Sequence, residues 1–358
     1  MTANLSINKK SSTFLRYIHN FRGLAILIIV MSHVYVYLDW QDSQLAKAIG
    51  LVLLKDGTVY FVFIAGLLFQ YLSYKYTFKK YIEKKLKYVI LPYLVVSLPA
   101  VAYSIYSQKI YSDVWFYNAF PDWSIVKQFV VLYLTGAHLY PLWFVPMIAI
   151  FYLCSPLLIL IDKNSKCYWV ILFALPFLFA FPRPQIQQIF QSFIYFFPVY
   201  LLGMFCSHYI KRVLFVTQKF LPILTIISVI LSFLYGYQVL FADLFISKHL
   251  YVNTFNREIQ CFLLVYLLYK LDDKLSSRTH EALCFIANIS FGIYFFHGYI
   301  LSIYFKIIER LPASGLELDN GNFITFVITS LVVTLASMAL VILCQKYLGK
   351  NSRYLIGC

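Results

Sequence analysis

Long apolar runs recur along this chain, and no other feature constrains its fold as tightly. In order they cover 22–39, 57–74, 88–106, 141–161, 168–182, 190–209, 220–237, 254–270, 284–305 and 323–345. A helix crossing a bilayer needs about 20 mostly apolar residues, whereas an outer-membrane barrel would show short alternating segments. Continuous runs therefore predict an all-α, polytopic integral membrane protein with about ten transmembrane helices. Residue usage agrees, since 61% of the chain is hydrophobic and 13% charged, more apolar surface than a soluble fold can bury. The even spacing of the runs predicts a single membrane domain over 1–358, its core about 14–347, with no appended soluble domain.

Charge orients the spans. The net charge of +15 would point to nucleic acid in a soluble protein. Here the positive-inside rule accounts for it. With a cytoplasmic N-terminus and an even number of spans, both termini lie inside. The basic residues from Lys9 to Arg22, Lys75 to Lys87, Lys163 and Lys166, Lys211 to Lys219, Lys270 to Arg278 and Lys346 to Arg353 then place 21 of 30 on the inner side. Among the outer segments, 107–123 carries Asp113, Trp115, Tyr117, Pro121, Asp122 and Trp123, and 124–135 reads as a short amphipathic helix at the interface. Gly236 to Asn253 holds Asp243 and His249, and Lys306 to Asn322 holds Glu309, Arg310, Glu317, Asp319 and Asn320. The seven cysteines are scattered and lack metal-ligand spacing, so neither a disulfide framework nor a metal site is expected. Nor is a cleaved signal peptide, because no small-residue cleavage site follows the first apolar run.

Two side chains mark the first span. Arg22 and His33 are eleven residues apart. At about 100° per residue they share a face to within roughly 20°, about 16 Å apart along the axis. A cation thus stands at the inner mouth and an ionisable ring lies within the membrane, where such groups usually serve function. His297, in the ninth run, is a second buried histidine. Alone it would pass for a structural hydrogen-bonding group, but two intramembrane histidines in the outer halves of different spans weaken that reading. His138 is either a headgroup-level residue or a substrate contact. His208, His249 and His280 read as loop or boundary residues. The segment Lys75 to Lys87, six lysines against Glu83, either sets topology and attracts anionic lipid or binds a phosphorylated cytoplasmic ligand. Lys55 with Asp56 reads as a snorkelling interfacial pair, and Arg257 with Glu258 has the same reading unless both lie within the membrane. Asn288, Gln260 and Gln70 are expected to be packing groups that find partners between helices.

Four passages together resemble the acyltransferase 3 family of membrane-bound acyltransferases of cell-envelope sugars. They are Asn20-Phe21-Arg22-Gly23 with His33 at the family's spacing; Val59 to Gly66; Pro141-Leu142-Trp143-Phe144 leading to Tyr152-Leu153-Cys154-Ser155-Pro156; and Ser290-Phe291-Gly292-Ile293-Tyr294 with His297. The chain departs from the family pattern at His19, where an acid is common, at Pro141, where a histidine is usual, and in a basic segment built of lysine where the family has arginine. The resemblance implies a ten-helix core in a bacterial inner membrane. It also implies an acyl-CoA donor, most commonly acetyl-CoA, used as substrate with no permanently bound cofactor, and transfer to a hydroxyl of an envelope polysaccharide or lipid-linked sugar. His33 would be the catalytic histidine, as base or acyl carrier, with His297 as orienter or acceptor contact. Arg22, Lys84, Lys85 and Lys87 would meet coenzyme A, and His138 and Trp143 the acceptor.

Acyl transfer requires a group that takes the hydroxyl proton, and a histidine does this near neutral pH. Walls such as Tyr35, Tyr60 and Phe61 are expected to keep water from the thioester. The rival reading is a transporter or flippase of a lipid-linked sugar with the histidines as a proton path, against which stands the absence of an internal repeat. A non-catalytic scaffold, its histidines structural, is the third reading.

Overall fold

Backbone polar groups in hydrocarbon must be satisfied within the segment that carries them, which for apolar runs of this length means helix. The computed structural model describes residues 2–40, 44–110, 114–174, 181–185, 187–241, 251–310 and 321–358, with side chains described outside 2–15, 172–174 and 309–310. The chain is helical throughout, with no β-strand among the described residues. Among the described residues, seven helices are long and apolar enough to cross a membrane, or eight if a bent pair forms one span.

The first run lies in α1, Thr2–Tyr37. The second, expected at 57–74, begins earlier and is two helices, α2 (Gln44–Leu54) and α3 (Thr58–Tyr71), joined through Asp56 in the left-handed region at φ 63°. Aspartate tolerates that conformation better than most residues. The third run is preceded by α4, Phe78–Lys85, which passes through a π turn at Leu86–Ile90 into α5, Leu91–Ser107. The lysine segment is thus an extension of a span. Next comes α6, Ile125–Thr135, capped by Ser124 Oγ, which accepts from Lys127 N at 3.4 Å. Its exposed Ile125, Val126, Phe129, Val130 and Leu134 suit an interfacial helix.

A 3₁₀ turn, Tyr140–Trp143, opens α7 (Phe144–Leu153), bent 75° from α6. The run expected at 141–161 breaks at Cys154, before α8, Ser155–Lys163. Of the run at 168–182, α9 (Trp169–Ala174) is seen, and 175–180 lie outside the described residues. Then follow α10 (Ile189–His208), α11 (Ile210–Lys219), α12 (Leu221–Leu240), α13 (Val252–Leu271), α14 (Ser277–Arg310), α15 (Phe323–Leu348) and the short α16 (Ser352–Leu355). At 20 residues α13 is about 30 Å long, enough to span. It is absent from the seven because Asn253, Asn256, Arg257, Glu258 and Gln260 make it polar. Asp113, Asp243, His249, Glu317, Asp319 and Asn320 of the outer segments, and the side chains of Lys9, Lys10, Glu309 and Arg310, lie outside the described residues.

Small residues bring the helices close, as expected where lipid supplies no hydrophobic drive between them. α3 lies along α10, and a Cβ on Gly66 would strike the Tyr200 carbonyl while one on Gly203 would strike that of Phe63. α1 packs on α14, where a Cβ on Gly23 would come to 2.7 Å from the Leu283 carbonyl oxygen. These two contacts order the core. One apolar cluster gathers α3, α10 and α7, the other the C-terminal half of α1 with α14 and α15. The outward rows of α12 (Ile223, Ile226, Val229, Ile230, Phe233) and α15 (Ile324, Ile328, Leu331, Leu335) are exposed and apolar, as lipid-facing helices require.

Candidate active site

The α1–α14 contact sets both ends of the site. At Gly23 the helices are close enough for Arg22 Nη2 to donate to the Ala287 carbonyl at 2.5 Å. The Arg22 Nε is buried and has no partner. Just inward, Arg16 makes a bidentate ion pair with Asp272, at 2.9 and 2.5 Å to Oδ2. His280 Nε2 donates to the Asp272 carbonyl at 2.7 Å, and its Nδ1 takes a bond from Asn20 Nδ2 at 3.0 Å. His280, which the sequence leaves without a role, thus ties α1 to the turn before α14.

Further along the same two helices His33 meets His297, with His33 Nδ1 3.0 Å from His297 Nε2 and the ring centroids 5.0 Å apart. His297 is fully buried, while His33 is half-buried. Hydrogen-bond logic fixes the protons of the neutral pair. The Ile293 carbonyl, 3.0 Å from His297 Nδ1, can only accept, so Nδ1 carries the proton and Nε2 is left as an acceptor. His33 Nδ1–H then donates to it. What remains is the lone pair on His33 Nε2, a base held by a second ring.

Aromatic groups enclose the pair. Tyr140 stands edge-on to His33 at 5.7 Å. Phe61, Phe144 and Tyr294 form a row ending at His297, with centroid separations of 6.4, 6.0 and 6.1 Å. Tyr294 Oη donates to the Pro141 carbonyl at 2.6 Å, fastening α14 to the 3₁₀ turn that carries Tyr140. Of the expected walls only Phe61 belongs to this row. Tyr35 stacks on Trp40 and donates to the Lys47 carbonyl, and Tyr60 donates to Gln260 Oε1 at 2.6 Å. Their hydroxyls needed partners, and the nearest lay elsewhere.

The other expected residues occupy separate places. Lys85 is half-buried, with its ammonium 4.6 Å from the Tyr152 ring and 5.3 Å from that of Tyr81. Lys84 and Lys87 are exposed. Among the described residues none of these lysines, nor Arg22, is in an ion pair. His138 is buried. Its Nδ1 meets the Leu132 carbonyl at 3.1 Å, its Nε2 has no partner, and the rings of Tyr93 and Tyr133 cover it. Trp143 is buried and stacks on Phe196.

Lys55 and Asp56 are not a snorkelling pair. The left-handed turn points the Asp56 carboxylate inward, where it accepts from Arg183 Nη1 at 2.7 Å and from Asn253 Nδ2 at 2.7 Å. The Lys55 ammonium lies 5.6 Å from the Tyr235 ring. Arg257 is also buried. It donates to the Val52 and Lys55 carbonyls at 2.7 and 2.9 Å, to Gln260 Oε1 at 2.6 Å and to Tyr60 Oη at 3.2 Å. It therefore closes the C-terminus of α2, whose last carbonyls have no partner within their helix. Glu258 is buried, and among the described residues neither of its oxygens has a partner. Gln260 and Gln70 take the packing roles expected of them, Gln70 beside Asp162 at 3.4 Å. Sequence reasoning missed Arg183. The one available signal was Pro182-Arg183-Pro184, two prolines that stiffen the backbone around a single cation.

A family model described as an acyltransferase domain matches residues 15–342, nearly the whole chain. No curated protein and no solved structure matches.

Proposed function

The chain belongs to the acyltransferase 3 family and is a multi-pass membrane acyltransferase, and from that premise we propose that it moves an acetyl group from acetyl-CoA to a hydroxyl of an envelope polysaccharide or lipid-linked sugar. The observation that carries this reading is the His33–His297 pair. It leaves one unprotonated nitrogen on the half-buried His33 ring, beside Tyr140 and on the same face of α1 as an arginine about 16 Å away.

The donor's phosphates are met at the cytoplasmic mouth by Arg22, Lys84, Lys85 and Lys87, cations without carboxylate partners among the described residues. The π turn that carries Lys87 is a local widening of the helix, a device common at functional sites. The thioester reaches along α1 to His33. His33 Nε2 accepts the proton of the attacking sugar hydroxyl, and His297 holds the ring in the tautomer that leaves Nε2 free. On collapse the same proton passes to the departing thiolate. Tyr140 and the Phe61–Phe144–Tyr294 row limit water, which would otherwise compete with the sugar. In this reading both termini lie in the cytoplasm of a bacterial cell, so the donor arrives from inside and the acceptor from the outer half. The transporter alternative gains nothing from a family of acyltransferases.

The test is release of free coenzyme A from acetyl-CoA by purified protein in nanodiscs, with an envelope glycan extract as acceptor. Acceptor-dependent release by the wild type, lost in His33→Ala, is the expected result. Release that survives in a folded His33→Ala protein overturns the mechanism.

A further inference from the structure

Resting on the acyl-transfer reading above, we propose that Arg183 is a catalytic residue of this site, its guanidinium donating to the oxyanion formed when the acceptor hydroxyl adds to the thioester.

The placement follows from the 3₁₀ turn Tyr140–Trp143. At three residues per turn its first and fourth side chains eclipse on one face. Tyr140 packs against the His33 ring at 5.7 Å, and Trp143 receives the Arg183 guanidinium at 5.3 Å. One turn therefore sets the imidazole and the guanidinium on a common wall.

The guanidinium is held rigidly and only partly used. Asp56 takes Nη1 at 2.7 Å, and the rings of Trp143 and Phe196 hold it at 5.3 and 5.5 Å. Its side chain is 25% exposed, and among the described residues no other hydrogen bond claims its remaining donors. Asp56 is itself buried, held in a left-handed turn and fixed by Asn253. Non-glycine residues in that conformation persist where the surroundings over-determine them, and such places cluster at active sites.

The counter-ion argues for a transient partner. A standing anion is best bound by a cation not already held in an ion pair, as Arg22, Lys84 and Lys87 are among the described residues. Arg183 is already neutralised by Asp56. What it offers is preorganised N–H donors, which count most where charge develops only in the transition state. The acceptor oxygen bonds to the thioester carbon as its proton passes to His33 Nε2, and the carbonyl π pair moves to oxygen, facing Arg183. The pair then returns, the C–S bond breaks, and the thiolate leaves with the proton from His33.

The experiment measures two reactions of full-length protein in nanodiscs: acetyl transfer to the glycan extract, and acceptor-free hydrolysis of acetyl-CoA. Both pass through the same oxyanion. In Arg183→Gln both rates should fall together, by about 10²–10³-fold, the usual loss for one such donor. The KM for acetyl-CoA should stay within about twofold, as expected of a purely transition-state contact. Transfer lost through a higher acceptor KM with hydrolysis intact would make Arg183 an acceptor-binding residue and overturn the proposal. So would wild-type rates. If Arg183→Gln does not fold, Arg183→Lys keeps the charge without the fork, and its kcat should still fall at least about tenfold; an unchanged kcat is again fatal. A wild type that consumes no acyl-CoA would refute the acyl-transfer reading before any Arg183 variant is made.

Discussion

Arg257 and Arg183 approach the same junction between α2 and α3, and they differ in what they leave unused. Every nitrogen of Arg257 is engaged, by two carbonyls, a glutamine and a tyrosine. Arg183 has one nitrogen bound to Asp56 among the described residues and rings on its flanks. The first satisfies a helix end. The second is aimed but unspent, and so is His33 Nε2. In a membrane interior, where an unpartnered polar group is costly, spare hydrogen-bonding capacity beside open space separates a site from a structural network.

The sharpest way to break this comparison is His33→Ala. Acceptor-dependent release of coenzyme A should fall by about 10²–10⁴-fold, the range of a lost general base, in a protein that still folds and is destabilised only by the one acceptor left unpaired on His297, about 1–3 kcal/mol. Arg257→Met should do the reverse. Leaving the Val52 and Lys55 carbonyls unpaired costs about 1–3 kcal/mol for each buried group, so the melting temperature in detergent should drop while activity per folded molecule persists. Should Arg257→Met instead remain stable and lose kcat, the two arginines would have to exchange roles. His297→Ala keeps the base but frees its ring. A loss of about 10- to 30-fold in kcat, partly restored in His297→Gln, whose amide oxygen can still accept from His33, would mark it as a positioning residue. The smallest effect is expected from Lys84→Ala and Lys87→Ala. Each should raise the KM for acetyl-CoA by about three- to tenfold with kcat unchanged, and the double variant should show a weaker dependence on salt.

Much of the fold was legible from hydropathy because a bilayer demands long apolar helices. The shared face of Arg22 and His33 followed from helical period alone. The histidine pair could not be read so directly. His33 and His297 are 264 residues apart, and which span lies beside which is invisible when every lipid-facing surface is equally apolar. Gly23, read only as part of a motif, turned out to set the approach of α1 to α14 that brings them together. Tyr35 and Tyr60 misled for a related reason: a buried tyrosine turns wherever its hydroxyl finds an acceptor, here the Lys47 carbonyl and Gln260. Lys55 and Asp56 read as an interfacial pair because adjacent opposite charges usually are. The break between α2 and α3 sends them different ways, Asp56 to Arg183 and Lys55 to the Tyr235 ring.

By itself, the sequence determined that this chain is a helical membrane protein with several long apolar spans, and that a cation and an ionisable ring share one face of the first. Solvent imposes those properties segment by segment, through hydrophobic length and helical period. Tertiary structure alone decided which polar groups meet: His33 with His297, Asp56 with Arg183, Arg257 with the end of α2. Those meetings depend on close helix contacts at glycines and on one left-handed turn, and no local pattern encodes a partner found hundreds of residues away.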